Sequence, residues 1–186
     1  MWCDKLIIRM IPMKICLING NAQDKSTTRS LVKTVQFMLE KQQIETLFFD
    51  VGIHELPIFK EGNNEHAGVK KLRSCASLAD GFFICTPDYH NGMSGALKNA
   101  LDYLGKPYFK GKPAAIAATA GGGKGGINAL NNLRIVLRGM HAFTLPEQMV
   151  IDNQYFDNEL KLTDEKIIRQ LDDLIEQFIH TAKRFL

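Results

Sequence analysis

The sequence predicts an α/β protein with a doubly wound, five-stranded parallel sheet of order 2-1-3-4-5 and helices on both faces. Segments of strand and helix character alternate five times along the chain, which is the pattern of a parallel sheet. The strands are continuous apolar runs, which indicates burial on both faces. With 186 residues, 45% of them hydrophobic and 23% charged, the chain is large enough for one domain with a full core.

The first half of the chain contains three predicted strands and two predicted helices. Residues 14–20 form a short apolar run that closes on a glycine, and residues 44–50 and 81–85 are the next two apolar runs. Between these strands, residues 26–42 and 65–78 carry apolar side chains at helical spacing.

The second half continues the alternation. Residues 94–104 predict a helix, residues 113–120 a strand of small residues, and residues 126–138 a further helix. Residues 143–151 predict the fifth strand, although the proline within it favours a position at an edge of the sheet. Residues 163–185 form the closing helix, with the threonine at its start as the N-cap.

Composition and charge limit the partners and the compartment. Residues 14–186 are predicted to form one domain after an extension, residues 1–13, that could be disordered and has no signal-peptide pattern; Met13 could equally be the first residue. A net charge of only +3 argues against a nucleic-acid partner. The longest uncharged stretch, residues 113–123, is too short to cross a membrane.

The cysteines and histidines show no metal or redox pattern. The four cysteines form no CxxC pair, which is typical of small buried side chains in a reduced, cytoplasmic protein. The five histidines are scattered, so no metal site is expected.

The predicted strand order locates a binding crevice before any motif is considered. The winding direction reverses between the first and third strands, and ligands of such sheets bind at the carboxyl ends of the strands beside that point. The loops after the first, third and fourth strands should therefore meet. These three loops are also the most distinctive in the sequence.

The first loop, residues 20–29, joins a strand to a helix N-terminus and is rich in side-chain donors. Free N–H groups at a helix start suit a phosphate, and the hydroxyls of Ser26, Thr27 and Thr28 can add hydrogen bonds. The alternative is a plain N-cap at Ser26. Asp50, at the end of the second strand, is interpreted as a surface residue.

The second loop holds a shaped turn between Pro87 and Gly92. Such a turn can present backbone groups to the edge of a heterocycle, and Tyr89 offers a planar surface. The alternative is a type I turn that leads into a helix capped by Ser94. His90 alone more often indicates a surface histidine than a catalytic one.

The third loop, residues 120–126, contains five glycines, so its backbone can approach a flat ligand closely. It also fits the pattern G-x-G-x-x-G, but at the fourth strand rather than the first, which makes it a weak indication of dinucleotide binding. The simplest alternative is a mobile surface loop.

Together the loops resemble the NADPH-dependent FMN reductase family, a branch of the flavodoxin-like fold that includes quinone, azo-dye and chromate reductases. The strongest element is TPDYHNGMSGALKNALDYL, residues 86–104, which is similar to the family segment TPEYN-x-(S/G)-x-PG-x-LKNA-x-D-(W/Y). The first loop is similar to the family's GS-x-R-x-x-S-x-(N/T)-R phosphate loop. The third is similar to its (S/T)-x-GG-x-GG segment. The resemblance covers nearly all of residues 14–186.

The resemblance implies a set of cofactor-binding residues on the three loops. These are Asn21, Gln23, Ser26, Thr28, Arg29, Pro87, Asp88, Tyr89, His90, Asn91, Gly92, Met93, Thr119, Gly121 and Gly122. Asn21 stands where the family has Ser, Gln23 where it has Arg, Asp88 where it has Glu and His90 where it has Asn. The amides of Asn and Gln can still donate hydrogen bonds to a phosphate.

The implied activity is that of an oxidoreductase that binds FMN and uses NADPH or NADH as co-substrate. The nicotinamide would pass hydride to flavin N5 and leave, and a small acceptor would then take electrons at the same face, which is a ping-pong mechanism. The acceptor could be free flavin, a quinone, an azo compound or a metal oxyanion. No side chain is obligate for catalysis, and His90 is a speculative proton donor. A homodimer or homotetramer is implied.

Two alternatives stay open at this point. A flavodoxin-type electron carrier has the same fold, although such carriers are usually strongly acidic and the pI here is about 8.6. A flavin-free nucleotide-binding regulatory module would also suit the departures in the first loop. Reduction by NAD(P)H without a partner protein excludes the carrier, and retention of added FMN excludes the flavin-free module.

Overall fold

A parallel sheet runs through the molecule, in a computed structural model that describes residues 13–123 and 125–186. Its strands are β1 (Lys14–Asn19), β2 (Glu45–Asp50), β3 (Gly81–Tyr89), β4 (Gly92–Met93), β5 (Pro113–Ala120), β6 (Phe143–Thr144) and β7 (Met149–Asp152). The order is β2-β1-β3-β5-β6, with β7 also paired to β5 and β4 antiparallel to the end of β3. The predicted order 2-1-3-4-5 is confirmed, because β5 is the fourth parallel strand and β6 and β7 share the fifth position.

Helices cover both faces of the sheet, as predicted. They are α1 (Thr27–Lys41), α2 (Ala67–Leu78), α3 (Gly95–Asp102), α4 (Lys106–Phe109), α5 (Ile127–Gly139) and α6 (Glu165–Lys183), with short 3₁₀ turns at Asn63–Glu65 and Asn153–Tyr155. α1 and α6 pack on one face through residues such as Leu31 and Phe178. α2, α3 and α5 pack on the other through Leu72, Leu97 and Leu133. Each fully buried side chain of this size contributes about 1.5–3 kcal/mol.

The fifth strand differs from the prediction because it is split in two. β6 pairs with the start of β5 and β7 with its end, and residues 145–148 leave the sheet between them. Pro146 lies in this gap, where its missing N–H would interrupt a ladder. The Arg134 guanidinium holds the gap by donating to the Leu145 and Pro146 carbonyls and to Gln148 Oε1.

Two further boundaries differ from the prediction. β3 continues to Tyr89 rather than ending at Cys85, because Pro87 still pairs in register with Thr119 of β5. The N-cap of α6 is Asp164, whose carboxylate accepts the Ile167 N–H at 2.9 Å. Thr163, the predicted cap, instead donates to the Tyr155 carbonyl.

The chain around the sheet is consistent with the expected cysteine chemistry. Cys16, Cys75 and Cys85 are free and buried, and burial raises the pKa of all three thiols.

Of the predicted N-terminal extension, residues 1–12 lie outside the described residues, whereas Met13 packs in the core with residues of α1. Within the described ranges, no helix has the length and apolar character needed to span a membrane.

Candidate functional site

The polar side chains buried in the described chain gather at one edge of the sheet. There are eight of them: Asn19, Asn21, Ser26, Thr28, Asp50, Thr86, Ser94 and Thr119. All lie at the carboxyl ends of β1, β2, β3 and β5 or in the residues that follow β1 and β4. Because buried polar groups require hydrogen-bond partners, this edge is a hydrogen-bonded polar site rather than a continuation of the apolar core.

The first loop is closed by its own asparagines. Asn19 and Asn21 exchange two hydrogen bonds, from Asn19 Nδ2 to the Asn21 carbonyl and from the Asn21 N–H to Asn19 Oδ1. Asn21 Oδ1 then accepts the Gln23 N–H at 2.9 Å. Ser26 is the N-cap of α1 and accepts the Arg29 N–H at 3.1 Å. The N-cap interpretation of Ser26 is therefore confirmed, and it leaves the start of α1 facing the crevice.

Arg29 stabilises this loop through hydrogen bonds from all three of its guanidinium nitrogens. Nε and one terminal nitrogen donate to the Asp50 carboxylate at 2.6 and 3.1 Å, and the other donates to the Gln23 and Asp24 carbonyls. Asp50 is 1% exposed, so its interpretation as a surface residue is wrong. The register of β1 and β2 places it beneath the loop, where its charge is paired.

The pairing changes the ionisation of both groups. Burial alone would raise the pKa of Asp50, but hydrogen bonds from Arg29, the Gly52 N–H and Asn19 hold that pKa below its ordinary value. The hydrogen bond to Asp50 raises the pKa of Arg29. The pair is therefore fully charged at neutral pH.

Two side-chain contacts join the first loop to the other two. The hydroxyl oxygens of Thr28 and Thr119 lie 2.6 Å apart, and Thr28 Oγ1 also accepts from Asn21 Nδ2 at 3.4 Å. The Tyr89 hydroxyl donates to Asn21 Oδ1 at 3.1 Å. The residues after β1 are thus in direct contact with the carboxyl ends of β3 and β5.

The second loop is a two-residue hairpin rather than a type I turn. Tyr89 pairs with Gly92 across it, and the residues between them, His90 and Asn91, have φ values of +53° and +63°. Two consecutive positive φ values are those of a type I′ turn, which matches the twist of the flanking strands. The Asp88 carboxylate accepts the Asn91 N–H at 2.8 Å and fixes the turn from within.

The hairpin leads into α3 through a residue that also touches the first loop. Ser94 caps α3 by accepting the Leu97 N–H, and its hydroxyl donates to the Gly20 carbonyl. The capping alternative for Ser94 is therefore correct for this residue. A glycine at position 20 allows the first loop to lie close to β3, because a Cβ there would come within 2.8 Å of the Cys85 carbonyl oxygen.

The third loop, residues 120–126, is here called the glycine loop. Two of its N–H groups donate to carboxylates from different strands. Gly126 N donates to Asp88 Oδ2, and Gly123 N donates to Asp152 Oδ2 at 2.6 Å. Gly122 and Gly123 have φ values of +80° and +73°, and a side chain at either would point into open space. Gly122 and Gly123 therefore present bare backbone to solvent.

Asp152 and Asn153 are site residues that the sequence reasoning missed. Besides the contact of Asp152 with Gly123, Asn153 Oδ1 accepts the Thr27 hydroxyl at 2.8 Å at the start of α1. Asp152 is the last residue of β7 and Asn153 follows it, so the rule that loops at the carboxyl edge converge would have found them. The prediction considered only the loops after the first, third and fourth strands, and so left out the end of the fifth.

The predicted residues divide by accessibility. Those exposed to solvent are Gln23, Tyr89, His90, Asn91, Gly121 and Gly122. Asn21, Ser26, Thr28, Pro87 and Thr119 form a buried floor, and Arg29, Asp88, Gly92 and Met93 are half-buried. The site is an open crevice. Two cavities, of about 840 and 390 Å³, lie elsewhere in the described chain: the first is lined by α1, residues 159–162 and α6, and the second by residues 147–150 and α6.

A family model described as NADPH-dependent FMN reductase matches residues 13–156. The chain belongs to the NADPH-dependent FMN reductase family. It is therefore an oxidoreductase whose cofactor is FMN and whose co-substrate is a reduced nicotinamide, and both the predicted family and this class of activity are confirmed.

Named relatives and a solved structure agree with this assignment. The chain is 44% identical to an NADPH azoreductase of Bacillus sp. strain OY1-2 over 151 residues, 80% of this chain and 82% of that one. It is 31% identical over 154 residues to an FMN-dependent NADPH-azoreductase of Staphylococcus aureus, with 79% and 81% covered. An apo crystal structure of the NADH:FMN oxidoreductase EMOB superposes with a TM-score of 0.75 at 26% identity, over 89% of this chain and 88% of that one.

Proposed function

We propose that this member of the family binds FMN in the crevice described above, oxidises NADPH or NADH and reduces a small acceptor. The observation that carries the proposal is the contact between loops that are far apart in sequence. Thr28 meets Thr119, Tyr89 meets Asn21 and Asp88 meets Gly126. One ligand can therefore contact all three loops at once.

The phosphate end of the cofactor would lie at the start of α1. A fifteen-residue helix capped by Ser26 offers first-turn N–H groups and the positive end of its dipole. The exposed Gln23 adds a neutral donor beside it, and Asn21 and Thr28 form the floor of this end of the site. Because the Arg29 nitrogens already donate to Asp50 and the loop carbonyls, we assign Arg29 to shaping the loop rather than to a direct contact with phosphate.

The ring end would lie between the hairpin, residues 87–93, and the glycine loop. The open space beside Gly122 and Gly123 suits the approach of a flat ring. The Asn91 N–H is taken by Asp88, so ring contacts fall to other backbone groups of the hairpin and to Thr119, Gly121 and Gly122. These residues fit FMN in both donor chemistry and shape.

The chemistry is divided between cofactor and protein. When bound, FMN supplies the hydride and electron transfer between nicotinamide and acceptor. The protein places the ring, holds its phosphate and leaves one face open to solvent for both substrates. His90, exposed at the tip of the hairpin, is proposed as a proton donor to the acceptor, and no side chain is obligate.

The finer features of the activity rest on the relatives. Because two of them are named azoreductases that use NADPH, an azo compound is the first acceptor to test and NADPH the first donor. Free flavin, quinones and metal oxyanions are the other proposed acceptors. Sharing of one open face predicts ping-pong kinetics. We further propose a cytoplasmic homodimer or homotetramer.

Anaerobic stopped-flow reduction of the FMN-loaded protein tests the proposal. Bleaching of the flavin band on mixing with NADPH or NADH, followed by reoxidation with an azo dye, is the expected result, and steady-state double-reciprocal plots should be parallel. Protein that retains no added FMN would favour the flavin-free regulatory module. Flavin that nicotinamides cannot reduce would favour the electron carrier.

A further inference from the structure

The Asp88 carboxylate accepts two hydrogen bonds from within the protein that a role in cofactor binding does not explain. One carboxylate oxygen accepts the Asn91 N–H at 2.8 Å, and the other accepts the Gly126 N–H. Asn91 belongs to the hairpin tip and Gly126 to the end of the glycine loop. The same side chain thus joins the two loops between which the ring is proposed to lie.

The hairpin tip needs such support. His90 and Asn91 both adopt positive φ, a conformation that is unfavourable for residues other than glycine. A bond from the Asn91 N–H to a carboxylate three residues earlier favours the turn over more extended alternatives. Charged acceptors form stronger hydrogen bonds than neutral ones, which makes Asp88 well suited to this role.

The start of α5 needs support for a different reason. Its N-cap is Gly126, which has no side chain and makes no capping hydrogen bond. Gly126 itself is required, because at φ +97° a Cβ would come within 2.4 Å of Val150 Cγ1. The Asp88 carboxylate, from another element, places a negative charge at this N-terminus and occupies one of its orphan donors.

We propose that Asp88 is a positioning residue that fixes the spacing between the hairpin and the glycine loop, so that the two loops can hold one planar ring between them. Its carboxylate acts on backbone N–H groups and not on the cofactor. The expected effect on FMN binding rests on the proposed function. The link between the two loops is present in the protein without cofactor.

The test compares three variants. Asp88→Asn keeps the shape and can satisfy only one of the two N–H groups. Asp88→Glu keeps the carboxylate. Asp157→Asn is the control for the loss of one negative charge, because a single oxygen of Asp157, Oδ1, accepts both the Glu159 and Lys161 N–H groups and an asparagine oxygen can replace it. Each variant is measured by amide hydrogen exchange without cofactor, by FMN titration and by kcat and KM.

Asp88→Asn is expected to speed exchange at Asn91 or Gly126 about tenfold or more, and to raise the Kd for FMN by a similar factor. The KM for nicotinamide at saturating FMN should change less than the Kd. Asp88→Glu should restore protection at both amides and most of the affinity. Asp157→Asn should leave exchange at Asn91 and Gly126 and the Kd for FMN unchanged.

Wild-type exchange at both amides in folded Asp88→Asn, or faster exchange with unchanged FMN affinity, would overturn the proposal. If Asp88→Asn does not fold, the test depends on Asp88→Glu. Loss of FMN affinity in Asp88→Glu while both amides remain protected would then contradict the proposal. Failure of the wild-type protein to bind FMN would instead refute the proposed function, which keeps the two failures distinct.

Discussion

Thr28 and Thr119 are 91 residues apart in the chain, yet their hydroxyl oxygens lie 2.6 Å apart beneath the crevice. Both side chains are buried, at 0% and 3% exposure. The contact joins the first turn of α1 to the end of β5. It therefore couples the loop proposed to bind phosphate to the strand that carries the glycine loop.

Replacing one of these hydroxyls should weaken both the fold and cofactor binding. Thr119→Val leaves the Thr28 hydroxyl without this buried partner, and we expect a loss of about 1–2 kcal/mol in the free energy of unfolding. The Kd for FMN should rise with it. Urea unfolding and FMN titration measure the two effects.

The double variant Thr28→Val/Thr119→Val should cost less than the sum of the single changes, because both polar groups are then absent. Thr34→Val is the control, since its hydroxyl bonds only the Ser30 carbonyl within α1. Equal FMN affinities for Thr34→Val and Thr119→Val would argue against a role for Thr119 at the site.

The pair Arg29 and Asp50 predicts a pH dependence of stability. The pKa of Asp50 is lower in the folded chain than in the unfolded chain, where it is about 3.9. The pair therefore contributes fully above that value, and the contribution is lost as the pH falls through the folded-state pKa. Asp50→Asn should destabilise the protein at pH 7 by about 1–3 kcal/mol.

Urea unfolding between pH 7 and pH 3 checks this expectation. The two proteins should converge in stability below about pH 4, because only the wild type loses the ionised carboxylate there. A constant difference between wild type and Asp50→Asn across the whole range would show that the charge of Asp50 is not what stabilises the loop.

Gly126 should tolerate no side chain. Gly126→Ala places a Cβ 2.4 Å from Val150 Cγ1 at φ +97°, and we expect a loss of about 2–4 kcal/mol. Gly139, at the other end of α5, is the control because a Cβ there meets nothing within 4 Å. Gly139→Ala should be neutral or stabilising by up to about 1 kcal/mol. Thermal unfolding of both variants measures the contrast, and similar melting temperatures would contradict it.

His90→Asn tests whether a side chain is needed for catalysis. Asn adopts positive φ more readily than His, so the hairpin should be at least as stable. Because the protein supplies placement and no obligate acid, kcat should stay within about threefold of the wild type, less than the factor of 10² or more that loss of a general acid produces. A larger fall in kcat, with its pH profile changed, would show that His90 is an obligate proton donor in the reaction.

The sequence was sufficient to predict the sheet order and the edge where the site lies. Apolar runs such as residues 81–85 mark buried strands, and the position of the winding reversal follows from their number alone. Ser26 as an N-cap was also predictable, because capping depends on residues within one turn. The family resemblance named the loop residues but not their partners.

The partners depend on register and on distant neighbours. Arg29 and Asp50 look in sequence like a phosphate ligand and a surface acid, and only the pairing of β1 with β2 brings them together. The hairpin carries His90 and Asn91 where glycine is usual for positive φ, so local preference alone did not predict a type I′ turn. Asp152 was missed because the site was expected only in the loops after the first, third and fourth strands.

A crystal structure of the FMN complex is the most direct test of where the flavin binds. We expect the phosphate at the start of α1, beside Ser26 and Thr28, and the ring between the hairpin and Gly122. A flavin bound instead in the cavity of about 840 Å³ that Phe37, Leu160 and Ile168 help to line would contradict it.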